Sequence, residues 1–292
     1  MVDEDVHRPF WWTRTSTDHS ASFMVFSYCD TIFTIMEHVI IALASLGASA
    51  LTLFSGFGLG TLLMPVFALF FPLDLAIALT AIVHFLNNIF KLALLGRHTD
   101  RGVLVRFGLP AIAASFAGAA LLVALGDLAP LARWSAFGTT HDVHAVALVI
   151  AAVMIVFALL ELSPRLEHLH VDRRHLVAGG LLSGFFGGLS GHQGALRSAF
   201  LVHANLSKEA FIATGVTIAC LVDVSRLGMY ARHVTSDALA PHLSLLVTAT
   251  LAAFAGAFVG SRLMKKVTMR AVQRVVAVML VVIALLLGSG VI

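Results

Sequence analysis

Long apolar stretches alternate with short polar breaks along this chain. Val39–Phe54 leads into Ser55-Gly56-Phe57-Gly58-Leu59-Gly60 and then Thr61–Phe71. Leu75–Leu95, Val103–Leu125 and Val143–Leu162 follow, and the polar stretch Ser163–His175 closes the first half. The pattern resumes with Leu176–Leu189, Ser190-Gly191-His192-Gln193-Gly194 and Ala195–Val202, then Ala210–Tyr230, Leu239–Val259 and Ala271–Leu287. A helix needs about 20 apolar residues to cross a hydrocarbon core of about 30 Å. The long runs meet that length. Thr61–Phe71 and Ala195–Val202 do not, so each glycine-rich stretch predicts a re-entrant or broken helix.

The two halves resemble one another. A shift of 134 residues carries Gly60 onto Gly194 and Thr80 onto Thr214. Basic residues orient the crossings. Arg97, Arg101 and Arg106 lie in one loop, Arg165, Arg173 and Arg174 in a second, and Arg262, Lys265, Lys266, Arg270 and Arg274 in a third. The loops on the other side hold only Arg133 and Arg232, so the rich loops are expected to be cytoplasmic. The hairpin 38–71 then enters and leaves from outside, the hairpin 176–204 from inside, and three full crossings follow each. The expected fold is all-α, a polytopic transmembrane bundle of two inverted repeats, each with one re-entrant or broken-helix hairpin plus three spanning helices. If each hairpin were instead one broken spanning helix, the halves would run parallel. The expected boundaries are an N-terminal extension or interfacial arm at 1–37, repeats at 38–162 and 176–292, and a cytoplasmic linker at 163–175. The arm is apolar only from Ala21 to Met36 and is broken by Asp30; its alternative is an extra crossing.

Composition agrees with a lipid solvent. The 292 residues are 59% hydrophobic and 12% charged, about half the charge of a soluble domain. That excludes a water-soluble globule, a disordered chain and a nucleic-acid binder. Cys29 and Cys220 lie far apart with no CxxC partner, which leaves a disulfide framework or cysteine zinc site unsupported. The pairs His141/His144 and His168/His170 lack a ligand set, and no metal, cofactor or catalytic residue is expected. P-loop, G-x-S-x-G and HExxH motifs are absent, so ATP hydrolysis and the common hydrolase plans are unsupported.

The candidate chemistry lies at the bends and on two helix faces. A broken helix leaves backbone N–H groups free, and a helix N-terminus attracts anions. Gly58, Gly60 and Thr61 at the first bend, with His192, Gln193 and Gly194 at the second, are therefore candidate anion ligands. Close helix packing is the alternative role of the glycines. Arg197 stands in the first turn after the second bend, where the helix dipole disfavours a cation. An arginine there is suited to clamp two oxygens of a sulfonate, sulfite or carboxylate; a snorkelling side chain or a salt bridge to Asp223 is the alternative. His84, Asn87, Asn88 and Lys91 share one helix face, as do Thr217, Cys220, Asp223, Arg226 and Tyr230. His84, Asn87, Lys91, Asp223 and Arg226 are the expected pathway or coupling residues. Asn88 and Thr217 read as polar glue between helices.

At these bends the chain resembles the TauE/SafE family of sulfite exporters, related to toluene-sulfonate uptake permeases. The matching text is Ser55–Pro65, Thr80–Lys91, Ser183–Val202 and Thr214–Tyr230, within a resemblance covering about residues 38–290. The second repeat often carries a proline where this chain has Ala199. The resemblance implies a multi-pass transporter of the bacterial cytoplasmic membrane that moves sulfite, sulfoacetate or another organosulfonate. Export is favoured, with coupling to the proton gradient as an expectation. Alternatives are an uptake permease, a passive anion channel or, less favoured, a membrane-embedded enzyme.

Overall fold

The computed structural model describes residues 19–55, 58–136, 138–162, 173–231, 236–263 and 269–292. The first half contains α1 (His19–Ser55), α2 (Leu59–Ala68), α3 (Leu73–Leu95) and α4 (Arg101–Gly126). A β-hairpin, β1 (Ala132–Ala136) and β2 (Thr139–Val143), then leads to α5 (Ala145–Leu162). The second half contains α6 (Leu176–Ser190), α7 (Gly194–Leu201), α8 (Lys208–Tyr230), α9 (Leu243–Leu263) and α10 (Met269–Gly288). Among the described residues, five helical segments have the length and apolar content to cross a membrane: Thr31–Thr52, Leu73–His98, Arg101–Gly126, Lys208–Tyr230 and Asp237–Gly260.

Two differences from the sequence reading stand out. The boundary expected at residue 37, between an N-terminal arm and the first repeat, falls inside one helix: α1 runs unbroken through Met36-Glu37-His38. No glycine or proline lies between His19 and Ile41 to stop it, and isolated polar residues do not break a helix. The arm's first eighteen residues, the linker at 163–172, and Arg232, Lys265 and Lys266 lie outside the described residues. The β-hairpin was not anticipated. Its strands pair antiparallel from Ala132↔Val143 to Ala136↔Thr139, and Gly138 takes the left-handed conformation in the turn.

Close backbone contact sets the helix arrangement. Gly180, Gly184 and Gly188 form one ridge of α6, four residues apart, against the carbonyls of Phe107, Ala111 and Ser115 of α4. A Cβ at any of these glycines would collide with backbone. Both series ascend together, so α4 and α6 run parallel. Gly256 and Gly260 of α9 meet Leu46 and Ala50 of α1 in the same way, and these helices are also parallel. Small residues permit this because, within lipid, packing and hydrogen bonds hold helices together more than hydrophobic burial does. Helix α3 lies antiparallel to α8, since Asp100 and Thr99 meet Thr214 and Thr217 at one end while His84 meets Asp223 further along. Helix α5 packs along α10.

The main core joins both halves through Leu63, Phe67, Leu79, Met154, Phe157, Leu245 and Leu280. Outside it, Leu43, Leu94, Leu109, Leu159, Val224, Leu251 and Leu285 are exposed around the bundle. In water such a belt would drive aggregation; in a bilayer it is the lipid-facing surface.

Candidate functional site

Both short helices begin at the middle of the bundle. Helix α2 has ten residues and α7 has eight, about 15 and 12 Å long, so neither spans a bilayer. Gly58 caps α2 and Gln193 caps α7, and neither side chain bonds the open amide groups. The two tips touch. A carbon added at Gly58 would lie 3.7 Å from the Gly194 nitrogen and 3.6 Å from His84 Nε2. Gly60 lies against the Gly191 carbonyl, and Thr61, in the first turn of α2, is buried. Gly191 ends α6 with φ +80°, a conformation glycine adopts freely, and Arg226 Nη1 fills the space where a side chain would stand.

Asp223 is the polar node beneath these tips. His84 Nδ1 donates to its Oδ2 at 2.6 Å, so α3 and α8 are joined across the two halves. Asn88 Nδ2 reaches the same oxygen at 3.4 Å. Arg226 places Nε and Nη2 at 3.0 and 2.9 Å from Oδ1, and Gln193 Nε2 is 3.5 Å from that oxygen. His84, Asp223, Arg226 and Gln193 are all buried. A buried carboxylate requires such donors, because an unpaired charge there costs several kcal/mol.

A cavity of about 30 Å³ opens beside the node. Gly58, His84, Asn88, Lys91 and Arg197 line it, with Thr52, Ser198 and the apolar Leu201, Phe211 and Val216. Gly215 of α8 makes room for Arg197, whose Nε would lie 3.4 Å from any added Cβ. Arg197 is 7% exposed, and its Nη1 has no hydrogen-bond partner among the described residues. The alternative salt bridge to Asp223 is not formed within 4.0 Å; Arg226 holds that carboxylate. Lys91 is also buried. Its Nζ donates to Asn87 Oδ1 at 3.1 Å, while the Asn87 amide nitrogen donates to the Ala253 carbonyl and Ser49 Oγ. Asn87 thus ties α3 to α1 and α9 and holds Lys91 from behind.

The expected site residues therefore fall into two shells. Gly58, His84, Lys91 and Arg197 line the cavity. Gly60, Thr61, Gly194, Gln193, Asn87, Asp223 and Arg226 stand around it. His192 sits further back: its Nδ1 donates to the Ser190 carbonyl at 3.1 Å and its ring packs on Phe157. Asn88, assigned to helix packing in the sequence, both lines the cavity and bonds Asp223. Thr217 keeps the packing role, bonding Ala213 O and Thr99 Oγ1. Gly215 and Ser198 were missed. The signal for Gly215 was a glycine within the polar face of α8. Among the described residues, no group of three or more His, Cys, Asp or Glu is disposed to hold a metal ion.

These features define a multi-pass helical membrane protein with a small, cation-lined polar centre between two half-length helices. The sulfite exporter family TauE/SafE matches residues 41–287, most of the chain, and the protein belongs to that family. No curated protein and no solved structure matches the chain.

Proposed function

We propose that this protein is a secondary transporter of the bacterial cytoplasmic membrane that moves a small sulfur-containing anion, with export as its direction. One observation carries the reading. Two uncapped helix tips meet beside a cavity lined by the buried cations Arg197 and Lys91, while Arg226 occupies the Asp223 carboxylate. Helix N-termini and unpaired cations both favour an anion there. In this reading Gly58, Gly60, Thr61 and Gly194 supply backbone and shape, and Arg197 clamps oxygens. Gln193 and His192 hold the second tip in place. His84, Asn87, Lys91, Asp223 and Arg226 line or brace the route.

The proposal includes two inverted repeats. The parallel pairs α1–α9 and α4–α6 agree with it, because each joins a hairpin helix of one half to the second full crossing of the other. An out-to-in α1 beside an out-to-in α9, an in-to-out α6 beside an in-to-out α4, and above all the antiparallel α3–α8 pair fit oppositely oriented re-entrant hairpins. Alternating access then consists of one repeat rocking against the other around the central anion. The His84–Asp223 pair joins the halves and is protonatable, so coupling to the proton gradient belongs to the reading.

The test is transport in proteoliposomes with sulfite, sulfoacetate, taurine and sulfate, with and without a pH gradient. Saturable flux of at least one anion is expected, steepened by the gradient. Non-saturating flux at channel rates would replace the transporter with a pore. Cysteine labelling near Arg101, Arg133 and Arg270 tests orientation, with Arg133 expected on the side opposite the other two.

A further inference from the structure

The charge balance at the cavity goes further than an anion of unspecified charge. We infer that the site selects a compact divalent oxyanion over monovalent sulfonates, and that Lys91 is the residue that sets this preference. The inference rests on the anion-transport reading above.

Four ionic side chains are buried around the cavity: Lys91, Arg197, Asp223 and Arg226. Arg226 grips Asp223 Oδ1 through two nitrogens and thereby cancels it. Lys91 and Arg197 remain, and among the described residues neither has a carboxylate within 4.0 Å. Both line the same cavity. Lys91 is held by the neutral Asn87 oxygen, which satisfies a donor without removing the charge. Arg197 Nη1 has no hydrogen-bond partner among the described residues. Two buried like charges facing one small space disfavour each other, so the Lys91 ammonium is retained best when something between them carries two negative charges. A monoanion compensates only one of them.

Size points the same way. A water needs about 10–15 Å³ of such space. The cavity, at about 30 Å³, suits the few oxygens of an inorganic oxyanion. Phe211, Leu201 and Val216 make part of the lining apolar.

Sulfate and methanesulfonate separate charge from shape, since both are compact tetrahedral SO₃-bearing groups that differ by one unit of charge. Binding to the full-length protein in detergent is read as ligand-dependent thermal stabilisation, and transport as competition with sulfite in proteoliposomes at fixed pH. The wild type is expected to bind sulfate at least about tenfold more tightly than methanesulfonate. Lys91→Gln is expected to shrink that ratio about tenfold, and Lys91→Arg, which keeps the charge, is expected to preserve it. Equal binding of the two anions by the wild type overturns divalent selection while leaving anion transport standing. An unchanged ratio in Lys91→Gln overturns the assignment to Lys91. Should no oxyanion bind or be transported by the wild type, the underlying transport reading falls and this inference with it.

Discussion

The two helix tips share a backbone design and differ in chemistry. At the first, Gly58-Leu59-Gly60-Thr61-Leu62-Leu63 brings shape and open amide groups with no ionisable side chain. At the second, His192-Gln193-Gly194-Ala195-Leu196-Arg197 brings two polar side chains and a buried guanidinium. Leu63 stands where Arg197 would stand in the first half, and it is fully buried in the apolar core. The same asymmetry extends to the long helices. Asp223 and Arg226 on α8 form an ion pair, whereas α3 presents His84, Asn88 and Lys91 to the cavity and carries its Asp74 in its first turn, away from that lining. A backbone motif can therefore be repeated for geometry while one copy holds most of the charge. The site is completed only when α3 of the first half lies against α8 of the second.

The node itself gives the largest expected effect. Asp223→Asn removes the charge that holds Arg226 and His84, leaving a buried guanidinium uncompensated. Breaking a buried pair in this way costs about 3–5 kcal/mol. Thermal unfolding in detergent should show a markedly less stable protein, with transport lost. A variant as stable as the wild type would mean that the contacts converging on Asp223 do not join the halves.

Arg197→Ala comes next and separates the two tips directly. It removes the unpaired clamp without breaking a salt bridge, so the fold should persist while transport falls about 100-fold, the equivalent of about 2.7 kcal/mol. Leu63→Ala, its counterpart in the first half, should lower stability by about 2–5 kcal/mol through a cavity and leave substrate selectivity intact. Selectivity altered by Leu63→Ala, or transport untouched by Arg197→Ala, would erase the division between a shaping tip and a charged one. Initial rates and thermal midpoints measured on both proteins decide it.

The glycine seams test whether the halves are mechanically alike despite this chemical difference. Gly184→Val on α6 and Gly256→Val on α9 each drive a side chain into the backbone of a parallel neighbour, Ala111 and Leu46 respectively. Overpacking of this kind typically costs about 1–3 kcal/mol, and comparable losses of thermal stability are expected from both. A severe effect at one seam and none at the other would show that only one hairpin is held by close packing.

Much of this was legible in the sequence because it is local. Short arms after glycine-rich breaks announce half-length helices, and the spacing of His84, Asn87, Asn88 and Lys91 announces one polar helix face. What was not legible is tertiary. His84 and Asp223 are 139 residues apart, and nothing in either segment says that they pair. Asn87 and Asn88 differ by one position on the same face, yet Asn87 turns to Ser49 and Ala253 while Asn88 turns to Asp223. The sequence places Asn87 on the pathway and Asn88 in packing; in the fold Asn87 braces Lys91 and Asn88 lines the cavity. Helix α1 ran past the expected boundary because polarity alone does not end a helix. The hairpin was overlooked because two five-residue strands between apolar runs carry little periodicity, although Thr, Trp and Val around Gly138 were a usable signal.

That hairpin supplies the smallest expected effect and a last asymmetry, since it belongs to the first half alone among the described residues. Arg133 donates through Nε and Nη2 to the two oxygens of Asp142, at 2.5 and 2.9 Å. The guanidinium holds the Asp142 carboxyl below its ordinary range, and Asp142 in turn raises Arg133. The sign follows from linkage. A carboxylate with a lowered folded-state pKa contributes at pH values above its unfolded value of about 3.9, and loses that contribution as pH falls through the lowered one. Both groups are substantially exposed, so solvent and salt screen the pair and its effect on stability is small. Trp134 adds a second tie, donating Nε1–H to the Ser289 carbonyl at the end of α10 and stacking on His141. Asp142→Asn is therefore expected to leave the neutral-pH thermal midpoint and anion selectivity nearly unchanged, and to flatten any dependence of hairpin stability on pH below about 4. Hydrogen exchange at the strand amides, followed across that range, reads the local effect. A change in selectivity from Asp142→Asn would place charge discrimination at the hairpin as well as at the central cavity, and the contrast between a shaping first tip and a charged second tip would no longer account for it.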